Sequence, residues 1–339
     1  MKITHEILTL RTRHTFTISR GGGSEFRVVA VKVTDSDGAE GWGEADPSKF
    51  YGENADTVVA ALRVIAPLLE QADPWSLETI ESEMNRVIRY NGSAKTAVSA
   101  ALHDLAAKRL GIPLYRMWGL EPGRAPRSSF TIGVSDEAEL RRKVEEAAEY
   151  PILKVKLGTD RDDEIIRVIR DAAPDKVLRV DANAAWSPKH ALNMIELLTE
   201  FDVEFVEQPL PADDIEGLRF VRDRSPLPII ADESCVIPSD IPKVLGAVDG
   251  INIKLAKCGG LRQALAMIAT ARAHGLLVMM GCMIETTLGI APAAQMASLL
   301  DYADLDGAAL LANDPYTGVS IAGGAIVVSS EPGLGVRRL

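Results

Sequence analysis

No stretch of this 339-residue chain stays apolar for the roughly 20 residues a membrane-spanning helix needs. The N-terminus, MKITHEILTL, also lacks the long apolar core and small-residue cleavage site of a secretory signal, so a cytoplasmic location is the expectation. Cysteine is scarce. Cys235, Cys258 and Cys282 are an odd set with no CxxC spacing, which argues against a disulfide framework and for reduced thiols. A glycine-rich phosphate loop and a basic stripe are both missing, and a net charge of −11 disfavours nucleic acid. A small molecule is the expected partner. What is present is ordinary for a globular protein: 47% hydrophobic residues against 25% charged, in a chain long enough for a barrel and one further domain.

One short pattern organises the rest. Val177 to Asn183 (VLRVDAN) is an apolar run ending on an acid and an amide, and it returns in outline as Val203 to Pro209 (VEFVEQP) and Pro228 to Ser234 (PIIADES). Asp181, Glu207 and Asp232 are therefore spaced by 26 and 25 residues. Such a period suits a strand followed by a crossover helix, the unit of a parallel βα barrel. Three carboxylates at the carboxyl ends of consecutive strands would converge where such barrels do their chemistry, as a hard-oxygen site suited to Mg²⁺.

Strand candidates run from Ser128 to Gly133 and then over 152–157, 177–182, 203–207, 228–232, 249–254, 277–282 and 303–306, with helical patterns between them. Eight such units close on themselves. The expected fold class is α/β: a modified, TIM-like (β/α) barrel over 119–318 with an N-terminal α+β capping domain over 1–118, completed by 319–339. The cap reads as strands at Ile3 to Leu10, Phe26 to Thr34 and through Gly41 to Glu44, then helices at 55–70, 76–89 and 94–110. Three consecutive glycines in His14 to Ser24 are costly to order, so that segment is expected to be a mobile loop. Val319 to Ser329 reads as a hairpin returning to the cap.

In ILKVKL, 152–157, the two-residue period puts Lys154 and Lys156 on one strand face, opposite Leu153, Val155 and Leu157. In GINIKL, 250–255, Lys254 likewise ends a strand whose Ile251 and Ile253 share the opposite face. These lysines lie on the second and sixth strands, which face each other across an eight-strand ring, with the three acids between them. Removing the α-proton of a carboxylate is hard because the enediolate carries two negative charges; a divalent ion offsets that charge. A neutral lysine on one face and a protonated one on the other would accomplish racemisation or epimerisation. Asp304 and Asp306 share a face at the end of the eighth strand, across from Glu207, an arrangement suited to an ammonium held away from a metal-bound carboxylate. A dipeptide has both of those ends. Thr131, ending the first strand, and Cys282, ending the seventh, are placed to line the pocket.

These motifs resemble the enolase superfamily, specifically its muconate lactonising subgroup and, within it, the dipeptide epimerases. The resemblance covers the whole chain through KVK at 154–156, DAN at 181, EQP at 207, ADES at 232 and NIKLAKCGG from 252. It implies one Mg²⁺ per site held by Asp181, Glu207 and Asp232, an acid/base pair of Lys156 and Lys254, and Lys154 touching the substrate carboxylate. It also implies that Asp304 and Asp306 bind the free α-amino group of a dipeptide, with L-Ala-D/L-Glu the expected substrate and a homo-oligomer the expected assembly. In members acting on Ala-Glu, an arginine of the N-terminal loop meets the glutamate side chain; Arg20 is the only cation between His14 and Phe26 here. An o-succinylbenzoate synthase or a muconate-type cycloisomerase shares the metal and lysine groups but gains nothing from an acidic pair at 304 and 306. A non-catalytic small-molecule binding protein is the alternative of another class.

Overall fold

Strand-forming valines alternate in VVAVKV, 28–33, and they pair on both sides into an antiparallel sheet: β1 Lys2–Ile18, β2 Gly21–Thr34 and β3 Glu40–Ala45. The computed structural model, which describes all 339 residues, packs the buried face of this sheet on three helices. Helix α1 is Ala55–Glu70, started by Asn54, whose side chain accepts from Asp56 N and Thr57 N while Thr57 Oγ1 caps Asn54 N in return. Helices α2 (Leu77–Val87) and α3 (Gly92–Leu110) complete the layer. Val29, Val31 and Val33 meet Val58, Leu62, Ile65 and the alanine-rich face of α3 in one apolar core.

The glycine run differs from expectation. Residues 16–18 pair with 21–23, Phe16 opposite Gly23 and Ile18 opposite Gly21, after a register shift beyond Arg11. The segment is the tip of a long hairpin, and close approach is what the glycines provide: a Cβ on Gly22 would lie 2.5 Å from Phe16 O. The tip is anchored to the barrel, Val134 N donating to Thr17 O at 2.9 Å.

The barrel strands are β4 Phe130–Ile132, β5 Ile152–Lys156, β6 Val177–Asp181, β7 Val203–Glu207, β8 Ile229–Ala231, β9 Gly250–Ile253, β10 Leu277–Gly281 and β11 Tyr302–Asp304, eight parallel strands in sequence order. The ring is drawn together between its first and last strands by a Ser128–Ala303 bridge and by Ser129 N donating to Ala303 O at 3.0 Å. Crossover helices such as Asp162–Ala172 and Leu261–Ala273 bury their apolar stripes on the outside. Inside, Phe205, Ile230 and Met279 fill the lower barrel, with the Arg179 guanidinium over the Phe205 and Tyr302 rings. Two residues further along those strands the functional groups begin, so the plug below sets their floor.

The C-terminal hairpin forms, Val319–Ala322 with Ala325–Val328, but on the barrel side. Its tip carbonyls accept from Arg127 Nη1 and Ser128 N, each at 2.8 Å. The return to the first three strands and α3 is made by residues 333–338 instead, through Leu334 N to Asp104 Oδ1 at 2.7 Å and the Arg338–Glu6 pair at 2.6 Å. No helix is long and apolar enough to cross a membrane.

Candidate active site and metal centre

Strand parity delivers the acids. Val180, Val206 and Ala231 are buried in the wall between strands and helices, so Asp181, Glu207 and Asp232 turn inward at the top of β6, β7 and just past β8. One oxygen from each lies within 4.8 Å of the others, and all three residues are fully buried. Each is braced by a neighbouring amide. Asn183, in left-handed backbone at φ 47°, donates its N to Asp181 Oδ1 at 2.8 Å. Asn252 Nδ2 donates to Glu207 Oε1 at 2.7 Å, and Gln208 Oε1 accepts from Asp232 N at 2.9 Å. Such bracing fixes carboxylates for ligation.

The lysines gather on these acids. Lys156 Nζ is 2.6 Å from Asp181 Oδ2, Lys254 Nζ is 2.8 Å from Asp232 Oδ2, and Lys154 Nζ is 2.7 Å from both Glu207 Oε2 and Asp304 Oδ2. Gly281 on β10 makes room for Lys254, since a Cβ there would sit 3.1 Å from its Cε. Burial opposes charge on Lys154, yet Asp304, Glu207 and Asp181 outweigh it and raise its pKa well above the usual lysine range. Burial likewise opposes ionisation of Asp181, which Lys156 and Lys154 pull down to about 2. Glu207 goes the other way, raised to about 7 by burial and by repulsion from Asp181. An all-carboxylate, fully buried donor set in which one acid is destabilised by another fits a divalent cation such as Mg²⁺, whose charge would relieve that repulsion.

At the far side of the barrel, Asp304 Oδ1 accepts from Ser129 Oγ at 2.6 Å, and Asp306 Oδ2 accepts from Thr131 N at 2.6 Å. The Thr131 hydroxyl holds Asp306 Oδ1 at 3.2 Å. Asp306 is raised to about 7 by burial and by Asp304 beside it. Cys282 Sγ accepts from Gly307 N at 3.3 Å and lines the same cavity; all three cysteines are free thiols. Arg20 reaches down from the hairpin tip, but its guanidinium is occupied: Nη1 donates to Asn183 O at 2.6 Å, Nη2 pairs with Glu233 at 2.8 Å, and Phe50 stacks on it. Arg20, Thr131, Lys156, Asp232, Lys254, Cys282, Asp304 and Asp306 line one cavity of about 790 Å³ between barrel mouth and cap, while Lys154, Asp181 and Glu207 are wholly buried behind that lining and tied to it by their ion pairs.

Residues 136–338 match the enolase C-terminal domain-like family, and residues 2–119 match the mandelate racemase/muconate lactonizing enzyme N-terminal domain. This chain belongs to that family. Among its relatives, a Bacteroides thetaiotaomicron protein named L-Ala-D/L-Glu epimerase is 40% identical, covering 100% of this chain and 88% of its own. A Roseobacter litoralis protein named hydrophobic dipeptide epimerase is 38% identical over 99% of this chain and 98% of its own. The substrate-liganded structure of the Bacillus subtilis L-Ala-D/L-Glu epimerase superposes with a TM-score of 0.94 at 34% identity, covering 99% of both chains.

Within this member of the family, several site groups went unmarked in the sequence reading. Lys257, one turn after Lys254, is wholly buried; its Nζ contacts Asp232 Oδ1 and donates to Asp232 O at 2.8 Å and Asn252 O at 3.2 Å. Its signal was the i, i+3 lysine pair in KLAK. Asn252, Gln208 and Asn183 stood inside the quoted motifs, where their amides passed for spacing. Ser129, which donates to Asp304, gave no signal beyond position.

Proposed function

We propose that this protein is a Mg²⁺-dependent isomerase, a dipeptide epimerase that inverts the α-carbon of the C-terminal residue of a dipeptide by 1,1-proton transfer. The observation that carries the reading is the placement of Lys156 and Lys254 on different carboxylates of one metal centre, Asp181 and Asp232. A substrate carboxylate over that centre presents one face of its α-carbon to each lysine.

Lys156 removes the α-proton of the L form and Lys254 returns one to the other face, with the roles exchanged in reverse. Lys154 meets the substrate carboxylate from below, adding fixed positive charge. A Mg²⁺ ion held by Asp181, Glu207 and Asp232 would supply the remaining charge that stabilises the enediolate, as enolase-superfamily sites do with a lysine or histidine base. Asp304 and Asp306 receive the dipeptide's ammonium, Thr131 fixes Asp306, and Cys282 closes the wall beside them. L-Ala-D/L-Glu is the first substrate to examine, with Arg20 exchanging Glu233 for the substrate's side-chain carboxylate. We further take 1–118, completed by the return at 333–338, as the capping domain, 119–318 with the hairpin that follows it as the barrel, and the protein as a cytoplasmic homo-oligomer.

The test is incubation with Mg²⁺ and a library of L,L-dipeptides in D₂O, read by mass spectrometry. Deuterium should enter the C-terminal residue's α-carbon, because the lysine that takes the proton exchanges it with solvent. A library in which no dipeptide gains deuterium sinks the substrate class.

A further inference from the structure

On the Lys254 side of the cavity, one carboxyl has no partner anywhere in the protein. Asp46 directly follows β3, is 8% exposed and lines the cavity. It accepts no hydrogen bond, and no cationic nitrogen comes within 4.0 Å. Three other acids stand near it, and each is engaged: Glu44 accepts from Thr286 N at 2.9 Å, Glu285 from Met283 N at 2.9 Å, and Glu53 from Ser93 N at 3.3 Å. Burial, followed by Glu285, Glu44 and Glu53, holds the Asp46 pKa well above the usual carboxylate range. A buried carboxyl without a partner destabilises the fold, and a ligand that brings the missing counter-charge removes that cost.

The cavity's own cations do not supply it. Arg20 is committed to Asn183 and Glu233. Arg27 keeps 53% of its side chain exposed, facing Asp56, and Lys49 is exposed on the outer turn. Lys254 favours ionised Asp46, but its ammonium is held by Asp232. The wall here is therefore acidic, largely desolvated and open toward the space between the catalytic lysines and the cap.

We propose that the site also epimerises dipeptides whose C-terminal residue carries a cationic side chain, lysine or arginine, with Asp46 receiving the ammonium or guanidinium. This rests on the dipeptide reading above. An α-carbon held between Lys156 and Lys254 directs its side chain away from the metal centre into the cavity, where Asp46 and Tyr51 form the wall on the Lys254 side. An aliphatic stem packs along that wall while its charged end meets Asp46. Asp46 thus acts as a specificity residue and takes no part in proton transfer.

The test compares L-Ala-L-Lys with L-Ala-L-Met, nearly isosteric but uncharged, by α-deuterium exchange in D₂O with the Mg²⁺-loaded full chain, for wild type, Asp46→Ala and Asp46→Asn. The wild type should exchange both and favour L-Ala-L-Lys. Either substitution should lower the ratio of the two kcat/KM values by about tenfold or more, the usual scale for removing one partner of a desolvated charge pair. Asp46→Asn keeps the volume and removes only charge, so a packing defect does not imitate the result. Exchange of L-Ala-L-Met without L-Ala-L-Lys, or a ratio unmoved by both substitutions, overturns the proposal and leaves the epimerase reading standing. Exchange of neither dipeptide, nor of any other in the library, overturns both.

Discussion

Lys154 Nζ lies 2.7 Å from Asp304 Oδ2, and the same nitrogen lies 2.7 Å from Glu207 Oε2. One buried ammonium therefore joins the eighth strand's acidic pair to the metal centre. The sequence alone placed these acids across the barrel from each other; the structure connects them through a single side chain. With Ser129 on its other oxygen, Asp304 is the more engaged of the pair, whereas Asp306 is held only by Thr131, and burial and the neighbouring Asp304 raise its pKa to about 7. The two aspartates should then behave differently.

Asp306→Asn should chiefly raise KM for a dipeptide, since it removes the freer carboxylate facing the ammonium. Asp304→Asn should lower kcat as well, because Lys154 loses a counter-charge. In the wild type, N-acetylating a good substrate should cost about 2 to 5 kcal/mol in kcat/KM, the scale of breaking a buried charge pair. That penalty should shrink in Asp306→Asn. Steady-state kinetics on free and acetylated dipeptides check it, and equal kcat/KM for the two in wild type removes the case for an ammonium site.

Glu81, in α2, offers a test on stability. Burial is the main cause raising its pKa to about 7, against the hydrogen bond from Ser99 Oγ at 2.6 Å, which lowers it. The folded value exceeds the unfolded one, so between pH 4.5 and about 7 the native state binds more protons and stability falls as pH rises. Above that window the full cost remains. Glu81→Gln keeps an acceptor for Ser99 and removes the charge, so it should stabilise the protein at pH 8 by about 1 to 3 kcal/mol and by little at pH 4.5. Urea denaturation at both values decides; a gain that is the same at both contradicts the assignment to ionisation.

Much of this architecture was legible because periodicity reports it directly. Alternation in ILKVKL puts Lys154 and Lys156 inward, and the helical pattern over 55–70 coincides with α1, Ala55–Glu70. The hairpin tip was not legible, because propensity counts the cost of three glycines but not the cross-strand bonds that need them. Lys257 escaped for a similar reason. Its partners include the backbone carbonyls of Asp232 and Asn252, and no side-chain pattern encodes a carbonyl's position. The hairpin at 319–328 was found but misdirected, since what it packs on depends on tertiary closure near Ser128.

The acids of the centre should be separable from the fold. Alanine at Asp181, Glu207 or Asp232 should lower exchange about a thousandfold or more, the loss of several kcal/mol of charge stabilisation, and should abolish heat of Mg²⁺ binding in calorimetry. Circular dichroism should remain that of a βα barrel, because the strands beneath are held by Phe205, Ile230 and Met279. Full activity after exhaustive chelation refutes the metal assignment.

The two-base geometry predicts an asymmetry that no single-base mechanism shares. Lys156 and Lys254 rest on Asp181 and Asp232, the outer two of three successive acids, so each reaches only one face of a substrate fixed over the centre. Lys254→Ala should therefore block epimerisation while leaving α-proton exchange in D₂O for the L epimer, which Lys156 still serves. Lys156→Ala should do the converse and retain exchange only for the D epimer. Lys257 keeps Asp232 in place in the first variant, so loss of Lys254 should not scatter the metal ligands. Chiral chromatography reports inversion and mass spectrometry reports exchange on the same samples. Wild-type epimerisation by either single variant, or exchange lost equally for both epimers in each, eliminates the opposed-lysine mechanism even if the metal and the dipeptide are right.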